Sequence, residues 1–123
     1  MDFNQTQAIY LQIAEYVCDQ VQSGAWLQDE KIPSVRELAV QLAVNPNTIM
    51  RSYEYLQQQG IIYTKRGLGY FIDPGAKNII VKTRKEHFIK EELPAFFHKV
   101  FLLAIDWKDL HQQYQTYLQS QNN

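Results

Sequence analysis

The chain has 123 residues, 46% of them hydrophobic and 20% charged, which fits one large or two small globular domains and excludes a wholly disordered chain. No apolar run reaches the about 18–20 residues of a membrane span, no signal segment opens the chain, and the single Cys18 excludes an intramolecular disulfide and a cysteine-based zinc site, so a soluble cytoplasmic protein is expected. Twelve Lys/Arg against thirteen Asp/Glu give a net charge of −1, and residues 1–78 hold six bases against eight acids, so a nucleic-acid function must rest on where the bases sit.

Ile9, Ile13, Tyr16, Val17 and Val21 recur at steps of three and four, which predicts a helix over residues 6–23 that Gly24 ends. Cys18 adjoins that apolar face and reads as a small packed residue. Residues 29–33 form a polar turn. Ser34-Val35-Arg36-Glu37 is a capping box, opening a short helix that carries Leu38, Ala39 and Leu42 and ends near Ala43. Asn45 is a good N-cap and Pro46 suits the first position of a third helix, with Ile49, Tyr53 and Leu56 on one face and Gly60 as its stop. Two short helices joined so closely make a helix-turn-helix.

After Gly60 the period changes. Residues 61–64 are β-branched and aromatic, Lys65-Arg66-Gly67-Leu68-Gly69 is a turn, and Tyr70-Phe71-Ile72 resumes, which predicts a β-hairpin ended by residues 73–76. A helical pattern returns over residues 79–104, interrupted by Pro94, where a kink or two abutting helices is expected. Asp106 caps a last helix with Trp107, Leu110, Tyr114, Tyr117 and Leu118 on one face, and residues 119–123 are expected to fray. The fold class is mainly α with a small β-hairpin: a winged helix-turn-helix over residues 1–76, then a two-helix segment over residues 77–123.

Convergent catalytic groups are scarce. His87, His98 and His111 lack metal-ligand spacing, Glu91-Glu92 reads as a solvated helix pair, and Gly67-Leu68-Gly69 precedes no helix that would complete a phosphate cradle. No catalytic residue, metal or cofactor is expected. DNA is a better match, because a helix about 10 Å across fits a major groove about 12 Å wide. Asn45, Pro46, Asn47 and Thr48 form the opening turn of the third helix, and Arg51 follows one turn later. Asn suits adenine, Arg guanine, and the Thr methyl a thymine methyl. Arg36 places a cation at a helix start, where a DNA phosphate offsets the unfavourable dipole, and Ser34 can share that contact. Lys65, Arg66 and Gly67 at the hairpin tip can reach a minor groove. The alternative is a winged-helix module that docks proteins without binding DNA.

Tyr10-Leu11-Gln12-Ile13, Gly24, residues 32–39, Val44-Asn45-Pro46-Asn47-Thr48-Ile49, Tyr53, Leu56, Gly60 and residues 65–71 resemble the DNA-binding domain of the GntR family of bacterial transcription regulators, over roughly residues 8–73. The brief tail and Val-Asn-Pro-Asn-Thr are similar to the YtrA subfamily, whose members carry two C-terminal helices for dimerisation. The resemblance implies a homodimeric repressor on an inverted-repeat operator and, since such genes often lie beside ABC-transporter genes, control of a transporter operon. It places DNA contacts on Arg36, on Asn45, Asn47 and Thr48, and on Arg66 and Gly67. Pro46 stands where many relatives have an arginine, and Met50 where some have a second one, so their base preferences do not transfer.

A dimer also follows from the tail itself. About 45 residues are too few for a private core, yet Ile89, Leu93, Phe96, Phe97, Val100 and Phe101 on the first tail helix make an apolar stripe too wide for one partner helix, with Phe88 beside it and Trp107 on the last helix; the alternative is a tail folded back onto its own winged domain. These residues are expected at a homodimer interface, in which exchange of the last helix between chains is an option. An unidentified small-molecule effector acting on the spacing of the heads is a further expected partner.

Overall fold

The computed structural model describes residues 1–122. The chain divides into two compact units, Met1–Thr83 and Arg84–Asn123. In the first, helix α1 (Ile9–Gln22) buries Ile13, Ala14, Val17, Cys18 and Val21. It starts later than its periodicity suggests. The Asn4 carboxamide accepts from the Thr6 N–H at 3.1 Å and the Gln12 side chain donates to the carbonyls of Asn4 and Gln7, so residues 4–7 take a turn instead of a helix. Ile9, expected on the buried face, is 45% exposed.

Helices α2 (Val35–Leu42) and α3 (Pro46–Gln58) follow, and both predicted caps are formed. The Ser34 hydroxyl accepts from the Glu37 N–H at 3.1 Å while the Ser34 N–H donates to Glu37 Oε1 at 2.9 Å. Between the helices Ala43 adopts φ 56°, a left-handed conformation that lets the chain turn sharply; Val44 N–H reaches back to the Ala39 carbonyl. Leu38 and Leu42 from α2 pack with Ile49, Tyr53 and Leu56 from α3.

Strands β1 (Ile62–Lys65) and β2 (Gly69–Ile72) pair antiparallel, with Ile62 opposite Ile72 and Lys65 opposite Gly69. The segment expected to be only a polar turn also pairs. Ile32 N–H donates to the Tyr70 carbonyl, Ile72 N–H to the Glu30 carbonyl, and Lys31 bridges Phe71. It thereby satisfies the outer edge of β2. Helix α4 (Ala76–His87) buries Ala76 and Ile80 in this same unit, past the expected boundary at residue 76.

In the second unit Pro94 neither ends a helix nor separates two capped ones. A single π-helical turn, Phe88–Glu92, precedes α5 (Leu93–Leu102). Leu93 N–H donates to the Phe88 carbonyl, five residues back, and the widened turn makes room for a ring that has no N–H and would crowd the Lys90 carbonyl. Ala104 takes φ 53° after α5, with its N–H on the Phe101 carbonyl and the Ile105 N–H on the Val100 carbonyl. Helix α6 (Trp107–Gln121) is capped by Asp106, and it stays helical through the residues expected to fray, up to Gln121; Asn123 lies outside the described residues.

The Glu37 carboxyl is held below its usual range, chiefly by its bond to the Ser34 backbone and then by the Ser34 hydroxyl. A depressed folded-state pKa stabilises above the unfolded-state pKa, and that contribution disappears as pH falls through the folded one. Glu37→Gln keeps an acceptor but cannot titrate. Chemical denaturation from pH 6 down to pH 2 is expected to show wild type losing stability faster than the variant over the acid end.

Candidate nucleic-acid interface

Burial of one side of α3 decides what its other side presents. Ile49, Ser52, Tyr53 and Leu56 are turned into the head, with Tyr53 and Ser52 fully buried. The Tyr53 hydroxyl donates to the Pro33 carbonyl at 2.7 Å, and burial pushes its phenol pKa far up, so the group stays neutral. This bond ties α3 to the residue just before the Ser34 cap of α2. With a repeat of about 3.6 residues per turn, Asn47, Met50, Arg51 and Glu54 are left outside, and all four are exposed.

At the start of α3, Asn45, Pro46 and Asn47 are exposed and Thr48 is half-buried. The Asn45 carboxamide oxygen accepts from the Asn47 N–H at 2.8 Å, which leaves its NH₂ for another partner. Pro46 occupies a first-turn position where no N–H is lost. Asn47, Thr48 and Arg51 line one open cleft with Ala8, Ile9 and Tyr10 from the start of α1. Arg51 is exposed but not freely mobile: its guanidinium carbon lies 3.9 Å from the centre of the Tyr10 ring. Tyr10 enters the sequence reading only within the Tyr10-Leu11-Gln12-Ile13 motif and not as a candidate DNA contact. A lone aromatic on a helix reads as core, and only the crossing of α1 with α3 brings it to the arginine.

Arg36 is exposed on the first turn of α2, beside Glu37, Val40 and Gln41. The half-buried Ser34 spends its lone pair on the cap and keeps its own O–H to donate. At the hairpin tip Lys65, Arg66 and Gly67 are all exposed, with Gly67 at φ 79°. Lys65 lies 5.0 Å from the Phe71 ring centre, and Tyr63 stacks on Phe71 at 5.6 Å. The Tyr63 hydroxyl donates to Asp29 Oδ1 at 2.7 Å, a bond that holds its phenol above the usual range. Gly69, at φ 117°, also makes room for a cation outside the predicted set, since a Cβ there would meet Lys31 Cε at 3.2 Å. The structure therefore gathers Asn47, Thr48 and Arg51 in one cleft and sets Arg36 and the hairpin cations on elements of their own.

In the tail, Phe88, Ile89, Phe96, Phe97, Phe101 and Trp107 are between 46% and 79% exposed, while Leu93 and Val100 are half-buried. His87, His98 and His111 are exposed, and no group of three metal-ligating side chains occurs among the described residues. No helix among them is long and apolar enough to cross a membrane.

Residues 9–72 match the family of bacterial regulatory proteins, gntR family. The chain belongs to the GntR family. It is 34% identical over 112 residues to the HTH-type transcriptional repressor YtrA of Bacillus subtilis, covering 91% of this chain and 85% of that one. A crystal structure of a GntR-family protein from Bacteroides thetaiotaomicron superposes with a TM-score of 0.75 at 49% identity, covering 93% of this chain and 99% of the other. The DNA-binding domain of AraR, solved in complex with operator ORR3, matches 58% of this chain and 87% of its own at 30% identity and a TM-score of 0.53. The chain is thus a DNA-binding transcription regulator of helix-turn-helix type, on a fold whose relatives are regulators and not enzymes.

The cap at Asn45 has a measurable structural share. Asn45→Ala is expected to cost about 1 kcal/mol of head stability in a denaturant titration, whereas Asn47→Ala, which breaks no side-chain hydrogen bond of α3, should leave the midpoint nearly unchanged.

Proposed function

We propose that this GntR-family chain is a cytoplasmic repressor that binds an inverted-repeat operator as a homodimer, and that it controls a transporter operon. The observation that carries the dimer is the tail. Between residues 84 and 122 no residue is buried, and only Arg84, Leu93, Val100 and Leu110 are half-buried. Two helices that bury nothing have no core of their own, and full burial of a Phe or Leu is worth about 1.5–3 kcal/mol. A second tail laid against Phe88, Ile89, Phe96, Phe97, Phe101 and Trp107 supplies that burial.

In this reading the opening turn of α3, with Asn45, Pro46, Asn47, Thr48 and then Arg51, enters the major groove. Ser34 and Arg36 grip a phosphate, and Lys65, Arg66 and Gly67 reach the minor groove beside it. Two-fold symmetry of the dimer asks for half-sites about 34–36 Å apart, or a multiple of that spacing. The repressor role follows the likeness to YtrA, itself described as a repressor, and the transporter operon follows only what the subfamily resemblance of the sequence implies.

Footprinting on the chain's own upstream region is expected to protect two symmetric half-sites. Arg36→Ala or Arg66→Ala should weaken binding by about five- to a hundredfold with little change in melting temperature; an unaltered affinity removes that arginine from the interface. Affinity should fall steeply with added salt. Phe97→Asp should sediment as a monomer and lose most affinity, and a monomer that binds as tightly as wild type overturns the tethered-head mechanism.

A further inference from the structure

Arg51 has a fixed seat. Its guanidinium carbon sits 3.9 Å from the Tyr10 ring centre, and that ring is itself immobilised from two directions. Tyr55 packs edge-on against it with centroids 6.2 Å apart and planes at 78°. On the backbone side, the Ser52 hydroxyl, fully buried, donates to the Tyr10 carbonyl at 2.7 Å. Tyr10 therefore cannot slide along α3 without breaking a buried hydrogen bond. Glu54, one turn beyond Arg51, borders the same surface.

A guanidinium lying on an aromatic face keeps its N–H groups in its own plane, free at the edge, while losing the rotamer freedom of a solvated arginine. An exposed cation–π contact adds little to the fold. What it changes is the cost of ordering Arg51 when a partner arrives. That partner approaches from the cleft Arg51 shares with Asn47 and Thr48.

We infer that Tyr10 is a positioning residue for DNA reading, its ring holding the Arg51 guanidinium at the rim of the recognition cleft with its N–H fork free for a pair of acceptors on the duplex, a guanine edge or a phosphate. The inference rests on the proposed docking of α3 in the major groove. It adds a residue of α1, outside the helix-turn-helix, to the apparatus that sets affinity.

The test is a double-mutant cycle on a duplex that the wild-type dimer selects from a random pool, with an unrelated duplex beside it. Arg51→Ala is expected to lower affinity about tenfold, Tyr10→Leu to lower it by several-fold, and Tyr10→Phe, which keeps the ring, to bind as wild type. In an Arg51→Ala background Tyr10→Leu should have no further effect, and this comparison removes any general weakening of the α1–α3 packing. Loss of discrimination at one base pair identifies a guanine edge. A uniform loss with a salt slope shallower by about one identifies a phosphate. Losses that add in full, or Arg51→Ala binding as tightly as wild type while Arg36→Ala does not, overturn the inference and leave the proposed function standing. A wild-type protein that selects no duplex overturns both.

Discussion

The packing of α3 constrains everything else in the head. Its buried side contains one hydroxyl, Ser52, and one phenol, Tyr53, among Ile49 and Leu56, and both polar groups find backbone acceptors on other elements. A buried polar group left unpaired costs about 1–3 kcal/mol; the Ser52 hydroxyl also has the Thr48 carbonyl of its own helix at 3.0 Å, so the Tyr53 bond is the stronger register and the Ser52 bond the secondary one. Ser52 sets the height of α3 against α1 by way of the Tyr10 carbonyl, and Tyr53 sets it against the entry to α2 by way of the Pro33 carbonyl. Rotating α3 by one residue would break both and turn Asn47 and Arg51 away from the cleft. The geometry of the exposed surface is thus held from beneath.

The charge balance obscures this surface. Several of the eight acids in residues 1–78 are engaged within the fold: Asp29 takes the Tyr63 hydroxyl, Glu30 the Leu27 N–H, Glu37 the Ser34 N–H and Asp73 the Gly75 N–H. Their carboxylates are fixed at turns and caps. Arg36, Lys65 and Arg66 stand exposed on the elements assigned to DNA. Net charge sums the two groups as equals, whereas a phosphate within a Debye length of about 8–10 Å meets chiefly the nearest charges.

What the sequence made legible follows the range of the interaction. The Ser34–Glu37 box and the Asn45-Pro46 start are local bonds within three residues, and both formed as their spacing implies. The hairpin follows from a change of period and a glycine-rich turn. Contacts between distant segments were not legible: the pairing of residues 30–32 with β2, the Tyr10 seat under Arg51, and Lys31 against Gly69 all need the folded chain to bring them together. The late start of α1 belongs elsewhere. There a side-chain turn at Asn4 competes with the helical pattern that includes Ile9, and periodicity does not register such competition. At Pro94 the sequence located the disturbance and the abutting helical elements, but not the π-helical turn that joins them, which only the Leu93–Phe88 bond reveals.

In the proposed dimer the tail links folding to assembly. Helices of 10 and 15 residues are marginal in isolation, and α5 and α6 bury no residue of their own in one chain. In the proposed dimer their helicity depends on the burial that the second tail provides, so the tail gains order as the two heads become tethered. Each head offers few cations to a duplex, and alone would dissociate readily; joined, the second head binds at the effective concentration set by the first. Any agent that loosens the tail, even one that never approaches α3, then lowers DNA affinity through the dimer equilibrium. In the proposed dimer the least buried segment of the chain is thus the one on which cooperation between the heads depends.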